Sequence, residues 1–268
     1  MRRALTIAGS DSSGGAGIQA DIKVFTDIGV YGLSAVTAVT AQNSEGVQKV
    51  NKVPPRIVAA QIDAVTRDIG VDACKIGMLY SEQTVSIVAE RITRRKIPKV
   101  VLDPVIFAKD GTRLLLNNAV HRMKRQLIPC CLLVMPNLAE AGVLAKSDVD
   151  DIDSAKEAAK VIHGMGAEYV LVKGGHLSGE PVDLLFDGEG FIEYPGTRVE
   201  GRVMHGTGCV LSAAITARLA ARNSVQDAVK YAKDYVTSAI KNSIKLGKGG
   251  LWFYAGAGHG SPAPSQNS

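Results

Sequence analysis

Six short apolar runs, at residues 4–8, 34–40, 73–79, 99–105, 132–135 and 169–173, are separated by longer stretches whose apolar residues recur at helical spacing. That alternation predicts parallel strands joined by crossover helices, because near-continuously apolar strands are those covered on both faces. Ile18, Ile22, Phe25 and Ile28 form one helical stripe; Val58, Ile62, Val65 and Ile69 form another, with Pro54 and Pro55 at its start. Ser81 is the candidate N-cap of a helix carrying Val85, Val88, Ala89 and Ile92. Ser154 and Glu157 make a capping-box pattern ahead of Ala158, Ile162 and Met165. After Lys173 the period changes: Val182–Phe186 and residues 191–194 flank Asp187-Gly188-Glu189-Gly190 and predict a hairpin near one sheet edge. Residues 209–221 are apolar on nearly every side, which predicts a buried helix. Residues 224–246 predict a long amphipathic helix, with Val225, Val229, Ala232, Val236, Ile240 and Ile244 inward and Gly247 as its stop.

The expected fold class is therefore α/β, a single doubly wound domain over residues 1–260 with a mostly parallel central sheet and helices on both faces, followed by a disordered tail at 261–268. Ligands belong at the carboxyl ends of such strands. No apolar run approaches the ~20 residues that span a bilayer, and the apolar run behind Arg2 and Arg3 is short for a signal peptide. Cys74, Cys130, Cys131 and Cys209 have no Cys-x-x-Cys spacing, which argues against a disulfide framework or structural zinc and for a cytoplasmic setting. A net charge of +5 comes with only 5% aromatic residues and no stacking pattern, so nucleic acid is not an expected partner. The basic runs at 91–96 and 122–125 read as helix surface, the first at a helix end where cations suit the dipole.

Four residue groups stand where chemistry is expected. Residues 9–21 follow the first strand as a glycine-rich turn running into a helix. Gly9 and Gly14 have Walker A spacing, but Gly15-Ala16 replaces the Lys-Ser/Thr that motif needs. Gly15 to Ala20 fits a loose dinucleotide fingerprint, but the second strand ends in Gln42-Asn43 rather than an acidic ribose ligand. The second group is His205-Gly206-Thr207-Gly208-Cys209, opening the buried helix. Backbone N–H groups at a helix start favour a phosphoryl group, and a cysteine on that first turn gains thiolate character; a small buried cysteine beside permissive glycines is the alternative. Third, Asp103 ends one strand and Asn137 to Glu140 ends the next, a pair that serves as an N-cap and its partner or as oxygen donors for Mg²⁺. Fourth, Lys173-Gly174-Gly175-His176 ends a further strand, with Lys173 either a phosphate contact or a solvated cation. The remaining histidines show no metal-binding spacing.

Taken in order, these segments resemble the hydroxymethylpyrimidine/phosphomethylpyrimidine kinase family of the ribokinase-like superfamily. The matching words are residues 5–21, Thr40-Ala-Gln-Asn43, Lys75-Ile-Gly-Met-Leu79, Leu102-Asp-Pro-Val105, Pro136-Asn-Leu-Ala-Glu140, Lys173-Gly-Gly-His176 and His205-Gly-Thr-Gly-Cys209. The resemblance implies ATP- and Mg²⁺-dependent phosphorylation of 4-amino-5-hydroxymethyl-2-methylpyrimidine and then of its monophosphate, in thiamine biosynthesis. It places the pyrimidine against Gly9, Asp21, Gln42, Met78 and Val105, with Asp21 and Gln42 as hydrogen-bonding groups and Met78 and Val105 as walls. It makes Cys209 the base, Gly206, Thr207 and Gly208 the anion hole, Lys173 and Asn137 the ATP and phosphate contacts, and Asp103 with Glu140 the metal carboxylates, directly or through water. A homodimer is the assembly it implies.

The chain departs from the family at its end. A Gly-His-Gly-Pro-type segment is expected there, but residues 247–254 read Gly-Lys-Gly-Gly-Leu-Trp-Phe-Tyr and lead into 255–260. A pyridoxal or pyridoxine kinase is the nearest alternative, since it too phosphorylates a ring CH₂OH. An NAD(P)-dependent oxidoreductase is the alternative from another class, suggested by residues 15–20. A sensor without catalysis would have no use for Cys209 behind the 206–208 turn.

Overall fold

A computed structural model of the chain describes residues 1–108, 111–175, 181–199, 202, 204–248 and 250–255; His176 and the expected tail at 261–268 lie outside these. The first half runs β1 (Arg3–Asp11), α1 (Gly17–Asp27), β2 (Tyr31–Asn43), β3 (Gly46–Lys52), α2 (Pro55–Asp68), β4 (Ala73–Ile76), α3 (Glu82–Arg95) and β5 (Val100–Leu102). It continues through α4 (Asn117–Arg122), β6 (Leu133–Val134), α5 (Leu138–Ala145), α6 (Ile152–His163) and β7 (Tyr169–Val172). The last part comprises β8 (Val182–Phe186), β9 (Phe191–Pro195), α7 (Thr207–Ala220), α8 (Val225–Lys241), β10 (Ile244–Lys245) and β11 (Leu251–Trp252).

Nine strands form one sheet in the order β3-β2-β1-β4-β5-β6-β7-β8-β9. The six from β2 to β7 are parallel, while β3 and the β8–β9 hairpin run antiparallel at the two edges. The chain leaves β1 toward β2 and returns to place β4 on the other side of β1, so the topological switch falls between β1 and β4, where an open α/β sheet leaves a crevice for ligands.

Successive strand residues point to opposite faces, and the core divides accordingly. Leu5, Ile7, Val100, Leu102, Val134, Val170 and Val172 pack with α2, α3, α5 and α6. Ala4, Val101, Leu133, Leu171 and Leu185 pack with α1, α7 and α8. Helix α7 is buried along most of its length, as its all-round apolar pattern requires.

Several local expectations are corrected. The long final helix ends at Lys241, not near Gly247, because Ile244 and Lys245 pair with Trp252 and Leu251 in a small ribbon. The box before α6 uses Asp151 and Ser154 in place of Ser154 and Glu157: Ser154 N–H donates to Asp151 Oδ1 at 2.7 Å, a stronger acceptor one turn earlier. Strand β3 was not foreseen, its Lys49, Asn51 and Lys52 giving it the polarity of a loop. The first basic run does close its helix, with Arg94 and Arg95 in the last turn of α3, and its members form ion pairs: Arg91 and Arg95 both reach Asp63 and Arg94 reaches Glu90, while Arg122 of the second run reaches Glu82.

Candidate active site

The glycine turn after β1 is built around one carboxylate. Asp11 Oδ1 accepts from Ser13 N at 2.8 Å, and Oδ2 accepts from Gly15 N at 3.2 Å and Ala16 N at 2.8 Å. Those N–H groups are the ones a pyrophosphate would need, so the dinucleotide reading fails here. Gly17, with φ +59°, then starts α1 with its α-carbon close under Gly9; a Cβ on it would stand 2.3 Å from the Gly9 carbonyl oxygen.

The turn before α7 packs directly on this one. Gly206 has φ +76°, and a Cβ there would lie 2.0 Å from the Gly15 carbonyl oxygen. Among the described residues no side chain caps α7, which leaves the N–H groups of Thr207, Gly208 and Cys209 facing an anion site at the positive end of a buried helix. On the other flank of the same turn, a Cβ on Gly208 would meet Lys173 Nζ at 3.6 Å and Asp103 Oδ2 at 3.8 Å.

Lys173 organises the ends of β5, β6 and β7. Its Nζ donates to Asp103 Oδ1 at 2.6 Å and lies 3.9 Å from Glu140 Oε2, while Ser212 Oγ on α7 reaches Asp103 Oδ2 at 3.2 Å. Burial works against the Lys173 ammonium, but Asp103, Glu140 and Cys209 outweigh it and raise its pKa. Burial likewise opposes ionisation of Asp103, and Lys173, Lys75 and Ser212 more than compensate, holding its carboxyl below the usual range. Asn137 and Glu140 form a reciprocal capping box on α5, so the local explanation for that pair is correct. Glu140 also accepts from Ile106 N at 3.3 Å.

Burial dominates at Glu140, with the Asp103 charge adding to it; although Lys173 pulls the other way, the pKa is pushed up to about 7. A carboxyl whose pKa rises on folding favours the folded state in its neutral form, and that contribution is lost as pH climbs through the raised value. Glu140→Gln is therefore expected to gain stability relative to the natural chain between about pH 5 and pH 8, on the order of 3 kcal/mol, read from urea midpoints at each pH.

Between the two turns lies a buried ion pair. Lys75 and Asp21 are both 0% exposed, and Lys75 Nζ donates to Asp21 Oδ1 at 2.5 Å while Thr6 Oγ1 donates to Oδ2 at 2.6 Å. Asp21 thus has each carboxylate oxygen engaged inside the protein. Burial is again the largest influence on Lys75, and it is overcome by Asp21, Cys209 and Asp103, which raise its pKa. Cys209 is half-buried. Desolvation pushes its thiol above the ordinary value of 9.0, helped by Asp21 and Asp103 and opposed by Lys75 and the Gly17 N–H. The thiolate character expected from a helix's first turn is thus overruled by two neighbouring carboxylates and loss of water.

Met78 and Gln42 lie against the end of β1 and its turn, and Val105 follows β5. Met78 is half-buried, with its Sδ 3.2 Å from where a Cβ on Gly9 would stand. Gln42 reaches across from β2, its Nε2 3.2 Å from His205 Nε2. Val105 is half-buried just past β5, its N–H donating to the Asp103 carbonyl at 2.8 Å. Asp11, His205, Ser212 and Trp252 are structural members of the site that the sequence reading did not assign, and Lys75 is the most informative omission. A lysine inside the apolar word Ala73-Cys74-Lys75-Ile76 is rarely buried without a partner, which was the available signal.

Residues 11–252 match the sequence profile of phosphomethylpyrimidine kinase. The chain belongs to the phosphomethylpyrimidine kinase family. Among relatives, it is 49% identical over 219 residues to the hydroxymethylpyrimidine/phosphomethylpyrimidine kinase of Rhizobium meliloti, covering 81% of this chain and 82% of that one. It spans half the length of the thiamine biosynthesis bifunctional protein ThiED of Geobacter sulfurreducens, with 46% identity over 246 residues, 91% of this chain. Two solved structures share the fold. The phosphomethylpyrimidine kinase of Clostridium difficile superposes with a TM-score of 0.81 at 40% identity, covering 90% of this chain and all of that one. The ADP complex of Bacillus subtilis pyridoxal kinase gives 0.88 at 39% identity, covering 95% and 97%. The ribokinase-like, doubly wound expectation is correct for this member of the phosphomethylpyrimidine kinase family.

No group of three His, Cys, Asp or Glu side chains among the described residues converges as a metal-ligand set. Asp103 spends its oxygens on Lys173 and Ser212, and Glu140 spends its own on backbone N–H groups. That donor set fits a Mg²⁺ whose shell is mostly phosphate oxygen and water, reached by the carboxylates through water. Among the described residues, no helix is long and apolar enough to cross a membrane.

Proposed function

We propose that the protein transfers the γ-phosphoryl group of ATP to the hydroxymethyl oxygen of 4-amino-5-hydroxymethyl-2-methylpyrimidine, and then a second phosphoryl group to the resulting monophosphate. The observation that carries this reading is the direct packing of the Gly206 turn on Gly15. It brings the uncapped start of α7 against the crevice at the end of β1, so an anion on the helix and an alcohol in the crevice can meet.

In the first step the acceptor oxygen forms a bond to the γ-phosphorus, the bond from that phosphorus to the β–γ bridging oxygen breaks, and ADP leaves. The alcohol proton passes to the sulfur of Cys209 in its thiolate form, which becomes the thiol. Lys173 and the N–H groups of residues 207–209 take up charge on the migrating group, the larger contribution in a reaction governed by positioning and electrostatics. Bound Mg²⁺ would draw charge from the phosphates, with Asp103 and Glu140 holding its water shell and Asn137 beside them. The ADP in the related Bacillus subtilis structure supports ATP as donor. Met78 and Val105 wall the ring, Gly9 lets it approach β1, and Gln42 offers it a hydrogen bond, with Asp21 acting through Lys75. Four free thiols support a cytoplasmic setting, and the working unit on this reading is a homodimer.

The direct test measures ATP consumption with a panel of hydroxymethyl heterocycles and identifies products by mass. The aminopyrimidine is expected to give a monophosphate and then a diphosphate; turnover of other alcohols without it would overturn the assignment. Gln42→Ala is expected to weaken acceptor binding by about 1–3 kcal/mol through loss of a buried partner, seen as a higher KM for the pyrimidine at unchanged KM for ATP. Structural likeness to pyridoxal kinase favours pyridoxal as a second acceptor, and the same panel measures it.

A further inference from the structure

The ribbon formed by β10 and β11 packs its tryptophan against the Gly15 turn. Strands β10 and β11 pair through Ile244 and Trp252, and Trp252 Nε1 donates to the Leu246 carbonyl at 2.8 Å, so the indole has a fixed orientation. Its six-membered ring fills the space that a side chain at position 15 would occupy: a Cβ on Gly15 would stand 2.1 Å from Trp252 Cζ3 and 2.8 Å from His205 Cδ2. The indole and the His205 imidazole meet edge to face with centroids 5.0 Å apart. The His205 N–H donates to the Leu251 carbonyl at 2.8 Å, which ties the ribbon to the α7 turn. Gly15 is therefore held between Gly206 on one side and Trp252 on the other.

His205 passes this constraint to Gln42. The Gln42 amide nitrogen lies 3.2 Å from His205 Nε2, and an amide N–H₂ can only donate, so the ring nitrogen accepts. The amide oxygen is left as the acceptor on that side chain, with Thr40 Oγ1 3.3 Å away but also placed to donate to the Ser10 carbonyl at 3.0 Å. An exocyclic amino group on a pyrimidine is a donor, and this is the orientation that receives one. Asp11 Oδ2, 3.9 Å from His205 Nε2, is the carboxylate that organises the Gly15 turn, so the same cluster sets both turn and amide.

We propose that Trp252 and His205 are positioning residues for acceptor selection: the indole clamps the Gly15 turn and fixes the imidazole, and the imidazole fixes the Gln42 amide with its oxygen toward a ring amino group. The proposal rests on the pyrimidine reading above, deepening it by naming what orients the selecting side chain.

Trp252 is the one tryptophan in the chain, so its emission reports on this pocket alone. Titrating the whole protein with the aminopyrimidine alcohol is expected to give a saturable change in tryptophan emission, with a matching Kd from equilibrium dialysis. Trp252→Ala is expected to raise KM for that acceptor about tenfold while KM for ATP stays within about twofold. In a Gln42→Ala background the same substitution should have little further effect, because the two act through one contact. Trp252→Phe, which keeps a ring against Gly15, is expected to restore most of the loss. Binding by dialysis with silent emission, or additive effects of Trp252→Ala and Gln42→Ala, would overturn this proposal and leave the kinase assignment standing. Absence of pyrimidine binding in dialysis would overturn both. Should Trp252→Ala fail to fold, the emission titration and the Phe variant still decide the matter.

Discussion

Cys209→Ala is expected to lower kcat about 10²-fold, at the lower end of what a general base contributes, with KM for the pyrimidine little changed. The low end is expected because the Cys209 thiol lies above its ordinary pKa: burial and the carboxylates of Asp21 and Asp103 disfavour the thiolate, and Lys75 recovers only part of it. The base form therefore becomes more populated as pH rises, so kcat of the natural chain should climb from about pH 7 to about pH 9 while the alanine variant stays flat. Steady-state kinetics across that range check both points. A variant with natural kcat and the same rising profile would return Cys209 to a packing role and shift the pH dependence elsewhere.

Lys75→Met is expected to destabilise the fold by about 3–5 kcal/mol, because it strands the Asp21 carboxylate away from water with only Thr6 to serve it. For a chain of this size that is a fall in Tm of roughly 10 °C. The double variant Lys75→Met/Asp21→Leu should recover much of that loss, since an apolar pair of similar volume needs no counter-charge. Urea denaturation of the three proteins decides the matter; a single variant as stable as the natural chain would mean that the pair is not ionised in the fold.

The architecture was legible because its cause is local and repeated. Runs such as residues 100–102 are apolar without alternation, as in a strand covered on both faces. The order of β1, β2 and β4 about the switch point is not a local property, and the site words placed ligands only at strand ends without giving that order. Where polar residues build structure the reading was weaker. Strand β3 carries Lys49 and Lys52 and reads as a loop, and the end of α8 is set by pairing of Ile244 with Trp252, a contact that no helical stripe encodes. Within the site, each glycine turn was visible by itself, but the packing of Gly206 on Gly15, where a Cβ on Gly206 would stand 2.0 Å from the Gly15 carbonyl oxygen, is tertiary. Cys209 shows the limit most clearly: its position on the first turn of α7 predicts a lowered pKa, and burial, helped by Asp21 on α1 and Asp103 just past β5, reverses the sign.

The antiparallel strands that finish the sheet have a consequence for how the molecule behaves when it is partly opened. A bare parallel strand at either margin would offer its backbone to a neighbour as a template. Here one margin is β3, with Lys49 and Lys52 along it, and the other is β9, which carries Glu193 and ends at Pro195. Charge repels a second copy at the first, and a residue with no N–H interrupts the ladder at the second. Loosened molecules are thereby steered back to their own fold rather than into fibrils.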